Sequence, residues 1–254
     1  MDFELKDKWA WVSGGTAGIG FAIAEQLVKA GANVVVVGRD FTRLENAVKR
    51  LKRLDPSRHV EGKHFDLQDV KLLTKNIEDV LSKHGIDILI HNVGGPAAGN
   101  TMEITLENWD KGYTSLLRGP VMFNQMVIPA MMKKKWGRIL NITSTAAVEI
   151  IPKLPVSATF RSGLSAYVKI LAKEVGRSGV LVNNLLPGPT NTERLQELKT
   201  KSPAFFESMA TETAVGRIAE PDEIAKAAVF LCSGANTYIT GTDVLVDGGY
   251  TKAL

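Results

Sequence analysis

Glycines at 14, 15, 18 and 20 crowd the segment SGGTAGIG, which follows the apolar run WAWV near the N-terminus. Gly14 permits a tight turn, Gly18 lets backbone amides approach a pyrophosphate, and Gly20 allows a helix to pack closely on a sheet. A helix that opens there adds roughly half a positive charge at its N-terminus, so the chemistry on offer is capture of a dinucleotide's phosphates. A plain strand-to-helix turn would use the same residues. A second polar set lies mid-chain: GRILNITSTAA carries Ser144 just past a β-branched run, and SATFRSGL carries Ser157 and Arg161. Arg161 can clamp a carboxylate or a developing oxyanion with a two-pronged contact, or sit in a structural ion pair. Ser157 reads as a helix cap, because a serine at a helix start satisfies an exposed amide.

These groups need a scaffold. The 254 residues, 44% hydrophobic and 23% charged, suit one large core. Short β-branched runs alternate with longer amphipathic segments along the whole chain, the pattern of repeated strand-helix units and a parallel sheet. Strands are expected at 9–13, 33–38, 60–65, 87–92, 138–143, 180–186 and 243–247. Ile19, Ile23, Leu27 and Val28 follow one helical face, and Gly31 ends that helix as a left-handed cap. The run VVVV at 34–37 reads as a central strand, buried on both faces. No linker or repeat divides the chain, so residues 1–254 are expected to form one α/β domain with helices on both faces of the sheet.

Composition excludes several classes. A lone Cys232 gives no intrachain disulfide, and no His/Cys cluster has zinc-ligand spacing, so no metal is expected and a reducing cytosol fits. No apolar run approaches the ~20 residues that span a bilayer, and MDFELKDKWAW has no signal-like apolar core. The net charge is +4, but the runs KKK at 133–135 and KRLKR at 49–53 lie on helical patterns and read as solvated faces rather than a nucleic-acid surface.

The chain resembles the short-chain dehydrogenase/reductases, whose glycine motif is spaced G-x-x-x-G-x-G, as Gly14, Gly18 and Gly20 are. The resemblance covers nearly all of the chain and implies a single-domain Rossmann fold, doubly wound, with a seven-stranded parallel sheet. It places Thr16 and Ile19 in the cofactor loop, Asp66 and Leu67 of HFDLQD beside the adenine, and Asn92 and Gly94 of HNVGG in the family's Asn-Asn-Ala-Gly turn, from which His91 and Val93 depart. Pro187, Gly188, Thr190 and Thr192 of NNLLPGPTNT match the turn that covers the nicotinamide. Cofactor choice is set at the end of the second strand, which reads VVVVGRD: Gly38 replaces the acid that would hold ribose hydroxyls, and Arg39 can grip a 2′-phosphate. NADP is favoured; Asp40 leaves NAD possible.

At the chemical end the resemblance breaks. The family uses Asn, Ser, Tyr and Lys, and the matching positions here are Leu116, Ser144, Ser157 and Arg161. Tyr167 lies too deep in the helix to stand in, and reads as a helix-interface or core residue. A phenol with pKa ~10 can shuttle protons when a cation tunes it, whereas an aliphatic hydroxyl and a guanidinium cannot do so readily. Ser144 keeps a carbonyl-orienting role by resemblance, and Arg161 a contact to the nicotinamide ribose. Lys153, Glu149 and Tyr113 are unranked alternatives as proton source. The resemblance therefore implies an NADP-dependent oxidoreductase acting on a small carbonyl or alcohol, similar to 3-oxoacyl-carrier-protein reductases. The alternative is a non-catalytic NADP-binding sensor or scaffold. Dehalogenation of halohydrins fits poorly, because those relatives keep the tyrosine and lose the glycine loop. Segment 191–215 falls at the family's substrate lid, with Leu195, Phe205, Phe206 and Met209 as an apolar lining, and helices around 107–134 and 157–177 would assemble a homotetramer or homodimer.

Overall fold

β-branched runs buried on two sides can only be covered by helices above and below, and that arrangement is what forms. The computed structural model describes residues 3–201 and 203–253, apart from the side chains of Leu198, Lys201 and Phe205, so the lining expected at Phe205 lies outside the described side chains. All seven expected strands are present within one residue at each end: β1 (Trp9–Val12), β2 (Asn33–Gly38), β3 (Val60–His64), β4 (Ile88–Asn92), β5 (Gly137–Ile142), β6 (Val180–Pro187) and β7 (Asp243–Val246). They pair in parallel in the order β3-β2-β1-β4-β5-β6-β7. Among the described residues the helices are α1 (Gly18–Lys29), α2 (Phe41–Leu54), α3 (Val70–Lys83), α4 (Leu106–Tyr113), α5 (Gly119–Lys134), α6 (Pro155–Val175), α7 (Glu193–Lys201), α8 (Pro203–Glu212) and α9 (Pro221–Leu231).

The valines of β2 divide between two cores. Val34 and Val36 join Val12, Ile23, Leu27 and Ala228 under α1 and α9, whereas Val35 and Val37 join Trp11, Ile77, Phe123 and Val127 under α3 and α5. Each such side chain contributes about 1.5–3 kcal/mol on leaving water. The chain winds outward from β1 to β3, then returns to set β4 on the other side of β1. The connections diverge there, and the carboxyl ends of β1 and β4 frame an open crevice, the place where a doubly wound sheet binds ligands.

Two local features bear on the site. The helix expected as continuous over 107–134 is interrupted: α4 passes through one wide π-type turn, Thr114–Arg118, before α5 begins. Inserted turns of this kind re-aim side chains. The second is a file of polar residues crossing four neighbouring strands, His91 beside Asn141, Asn141 beside Asn184, and Asn184 beside Asp243. Asn141 Nδ2 donates to Asn184 Oδ1 at 2.8 Å, and Asn184 Nδ2 donates to Asp243 Oδ1 at 2.7 Å.

Candidate cofactor and active site

The crevice holds the glycine loop. Gly14 (φ 58°) and Gly18 (φ 52°) take left-handed backbone conformations that favour glycine. At Gly20 a Cβ would collide with the Gly14 carbonyl oxygen and stand 2.5 Å from Asn92 Nδ2. Asn92 in turn donates to that carbonyl at 3.3 Å, tying the loop to β4. Ala17 precedes α1 and supplies no side-chain cap, which leaves the first-turn amides free to meet an anion.

A cleft of about 360 Å³ runs from Gly14 and Thr16 across Gly38 and Arg39, past Asp66 and Leu67, to Asn92 and Gly94. At Gly38 a side chain would strike the Thr16 methyl group, so the threonine occupies the space that an acid at this position would need. Arg39, 73% exposed, faces Asp66 across 3.6 Å. Gly94 has nothing within 4 Å of a would-be Cβ, so the floor there is open. Ile19 packs partly into the core beneath the loop. Pro187 ends β6; Gly188 sits against Asp247, and the buried Thr190 donates its hydroxyl to the Gly188 carbonyl at 2.9 Å. The Thr192 methyl lies 3.2 Å from the position a Cβ on Gly18 would take, which closes the cleft on that side. An uncapped helix, a loop that excludes side chains and an arginine at the rim fit an adenine dinucleotide.

At the chemical end, Ser144 stands just beyond β5, its Oγ accepting from the Ala146 amide at 3.2 Å. Ser162 of α6 donates to the Ala147 carbonyl at 2.7 Å and pins this loop to the helix. Two expectations are corrected. Ser157 is no cap: α6 starts at Pro155 after Leu154, which has no side-chain cap bond, and Ser157 lies buried inside the first turn. Proline at the first helical position has no amide, which removes one of the unpaired donors of the first turn. Among the described residues Arg161 has no ion-pair partner, which removes the structural ion pair as the alternative for it. It is 5% exposed, Nη1 donates to the Ile142 carbonyl at 3.0 Å, and Nε has no partner. Burial, with repulsion from Arg194 second, pushes its pKa down to about 10.

Leu116 sits buried in the π-type turn. Tyr167 is half-buried against the α3/α5 core and accepts from Asn124 Nδ2 at 3.4 Å. Of the other proton sources considered, Glu149 accepts from the Lys252 amide at 2.8 Å, Lys153 is held with φ 65° while its carbonyl accepts from Gly99, and Tyr113 leans on Phe160. None is drawn to Ser144 by a hydrogen bond.

Two residues escaped sequence reasoning. Arg194, on α7, lies against Gly95, where any Cβ would strike its guanidinium. His91 is buried, its Nε2 3.3 Å from Asn124 Oδ1, and burial pushes its pKa down to about 4. The folded chain therefore keeps His91 neutral while the unfolded chain protonates it below about pH 6.5. Stability from this group is full above that pH and drains away as pH falls toward 4, a loss of roughly 1–2 kcal/mol at pH 5. Melting curves from pH 7 to pH 5 should show this decline, and His91→Asn should flatten it; equal slopes in both proteins would remove His91 as the cause.

Residues 14–251 match the family described as Enoyl-(Acyl carrier protein) reductase. The chain is 31% identical to the 3-oxoacyl-(acyl-carrier-protein) reductase FabG of Aquifex aeolicus, over 98% of this chain and 99% of that protein. It is 34% identical to dehydrogenase/reductase SDR family member 4 of Bos taurus, over 96% and 88% of the two chains. The L-sorbose reductase of Gluconobacter frateurii, solved with NADPH and L-sorbose, superimposes with a TM-score of 0.93 at 31% identity, covering 100% of both chains. With a seven-stranded doubly wound sheet and a glycine loop at its switch point, the chain belongs to the short-chain dehydrogenase/reductase family.

Proposed function

We propose that this chain is an NADP-dependent oxidoreductase that interconverts a small carbonyl and alcohol. The observation that carries this reading is the phosphate cradle: an uncapped α1, a loop closed to side chains at Gly20, and Thr16 filling the space beside Gly38 where an acid would otherwise select NAD. NADP-bound and NADPH-bound relatives support it. When bound, the nicotinamide supplies or accepts hydride. The chain's own residues would divide the remaining work: Arg39 would hold the 2′-phosphate, Ser144 would orient the carbonyl, and Arg161 would offer positive charge beneath the β5 end. Ser157 and Leu116 bring no titratable group, so the proton comes from water, from substrate or from another side chain in the cleft. Segment 191–215 is the lid of this single domain, with Met209 buried and Phe206 beneath Lys199. Exposed Ile170 on α6, and Tyr238 and Leu245 near β7, supply contact faces for a homo-oligomer. A cytoplasmic location agrees with one buried, unpaired Cys232.

The missing tyrosine also favours a second reading, an NADP-binding sensor without turnover. Fluorescence titration with NADPH and NADH, followed by a carbonyl panel assayed for NADPH consumption, separates the two. NADPH should bind tighter than NADH, and Arg39→Ala should weaken NADPH about tenfold, the loss of one charge-assisted contact, while NADH is unchanged. Ser144→Ala should lower turnover. Binding without turnover on any carbonyl selects the sensor, and no binding of either nucleotide overturns both.

A further inference from the structure

Among the described residues two arginines are buried, Arg138 and Arg161, and their surroundings differ. Arg138 is structural: Nε, Nη1 and Nη2 donate to the carbonyls of Ser233, Gly137 and Asn236, and the guanidinium lies 4.6 Å over the Trp136 ring. Arg161 is equally buried yet makes a single hydrogen bond, leaves Nε without an acceptor, and has no carboxylate beside it among the described residues. A buried charge is retained only where something balances it. Among the described residues the charge that acts on Arg161 is another cation, Arg194. That side chain reaches from α7 to the Gly94–Gly95 turn, and a side chain at position 95 would displace it. Its neighbour Glu193 does not neutralise it, being committed to Arg43 at 2.6 Å.

The anion that completes this pair must come from outside the chain. The phosphates of a dinucleotide already have partners, at the first turn of α1 and at Arg39, whereas Arg161 lies under the end of β5, bonded to a carbonyl two residues before Ser144. We propose that the substrate is an oxo or hydroxy carboxylic acid, whose carboxylate bridges Arg161 and Arg194 while its carbonyl or hydroxyl meets Ser144. This rests on the oxidoreductase reading and deepens it. Guanidinium groups suit the role because their planar fork matches a carboxylate and stays charged.

The test compares acetoacetate and 2-oxobutyrate with their methyl esters, as thermal stabilisation and as competition binding, each with and without saturating NADPH. The acids should bind at least about tenfold tighter than the esters, a difference of ~1.4 kcal/mol. Arg161→Met and Arg194→Met should each erase the preference. Arg194 belongs to the short helix α7 rather than to the core, so its variant gives a second, independent readout. NADPH affinity should be unchanged in Arg194→Met. Acids bound no better than esters, or neither bound, overturns the proposal; so does an Arg194→Met variant that loses NADPH affinity and keeps the acid preference. Failure of NADPH to bind overturns the oxidoreductase reading alone, because the acid-to-ester comparison without nucleotide does not depend on it.

Discussion

Arg161→Met is expected to melt several degrees above the parent chain in the absence of ligand. The guanidinium is buried, holds one hydrogen bond to Ile142, and meets only repulsion from Arg194. A pKa brought down to about 10 means that the fold disfavours the charged form at every pH below that value, neutral pH included. The corresponding penalty is about 3 kcal/mol, and loss of the Ile142 bond returns about 1 of it. Methionine fills similar volume without charge, as in other cases where a buried ion is exchanged for a hydrophobe. A net gain near 2 kcal/mol corresponds to roughly 4–8 °C for a chain of this size. Scanning calorimetry at pH 7 decides it: a fall in melting temperature would make Arg161 a structural residue and remove the reason to look for an external anion.

Gly20→Ala is expected to weaken NADPH binding at least 100-fold, about 3 kcal/mol, without unfolding the chain. One methyl group suffices because there is no room for it. It would overlap the Gly14 carbonyl oxygen, approach the Gly14 carbonyl carbon to 2.9 Å and crowd Asn92 Nδ2, so the loop must swing away from the amides that would face the pyrophosphate. The helix itself prefers alanine over glycine by ~1 kcal/mol, which offsets part of the strain and keeps α1 formed. Nucleotide titration measures the loss, with circular dichroism as the check on folding. Affinity within about threefold of the parent chain would mean that the pyrophosphate lies elsewhere.

The strands are legible because their signal is local: β-branched runs bounded by turn residues can be read without knowing their neighbours, and two-sided burial of VVVV at 34–37 follows from the same run. The glycine loop is legible for a related reason, since position after β1 fixes what each glycine must avoid. The interruption at Thr114–Arg118 leaves no trace in the sequence, because LLR has no preference for a wide turn over an ordinary one. Residue type alone makes Ser157 a cap, whereas Pro155 starts the helix earlier and carries the serine inward. Arg161 defeats local reasoning altogether. Its sole acceptor lies 19 residues upstream, and its electrostatic neighbour lies in a different helix. Nothing in the order of residues sets Arg194 apart from other lid charges, and only the bare face of Gly95 shows where it rests.

The row from His91 through Asn141 and Asn184 to Asp243 has a consequence for how the sheet assembles. Strand side chains alternate between faces, so sliding β5 by a single residue would turn Asn141 to the other face and leave Asn184 without its donor. Valines and isoleucines tolerate such shifts, being nearly interchangeable with their neighbours; amides that must meet one another do not. The bonded part of the row, Asn141 to Asn184 to Asp243, thus works as a key cut across three strands. It makes misaligned pairings of β5, β6 and β7 costly from the moment they form.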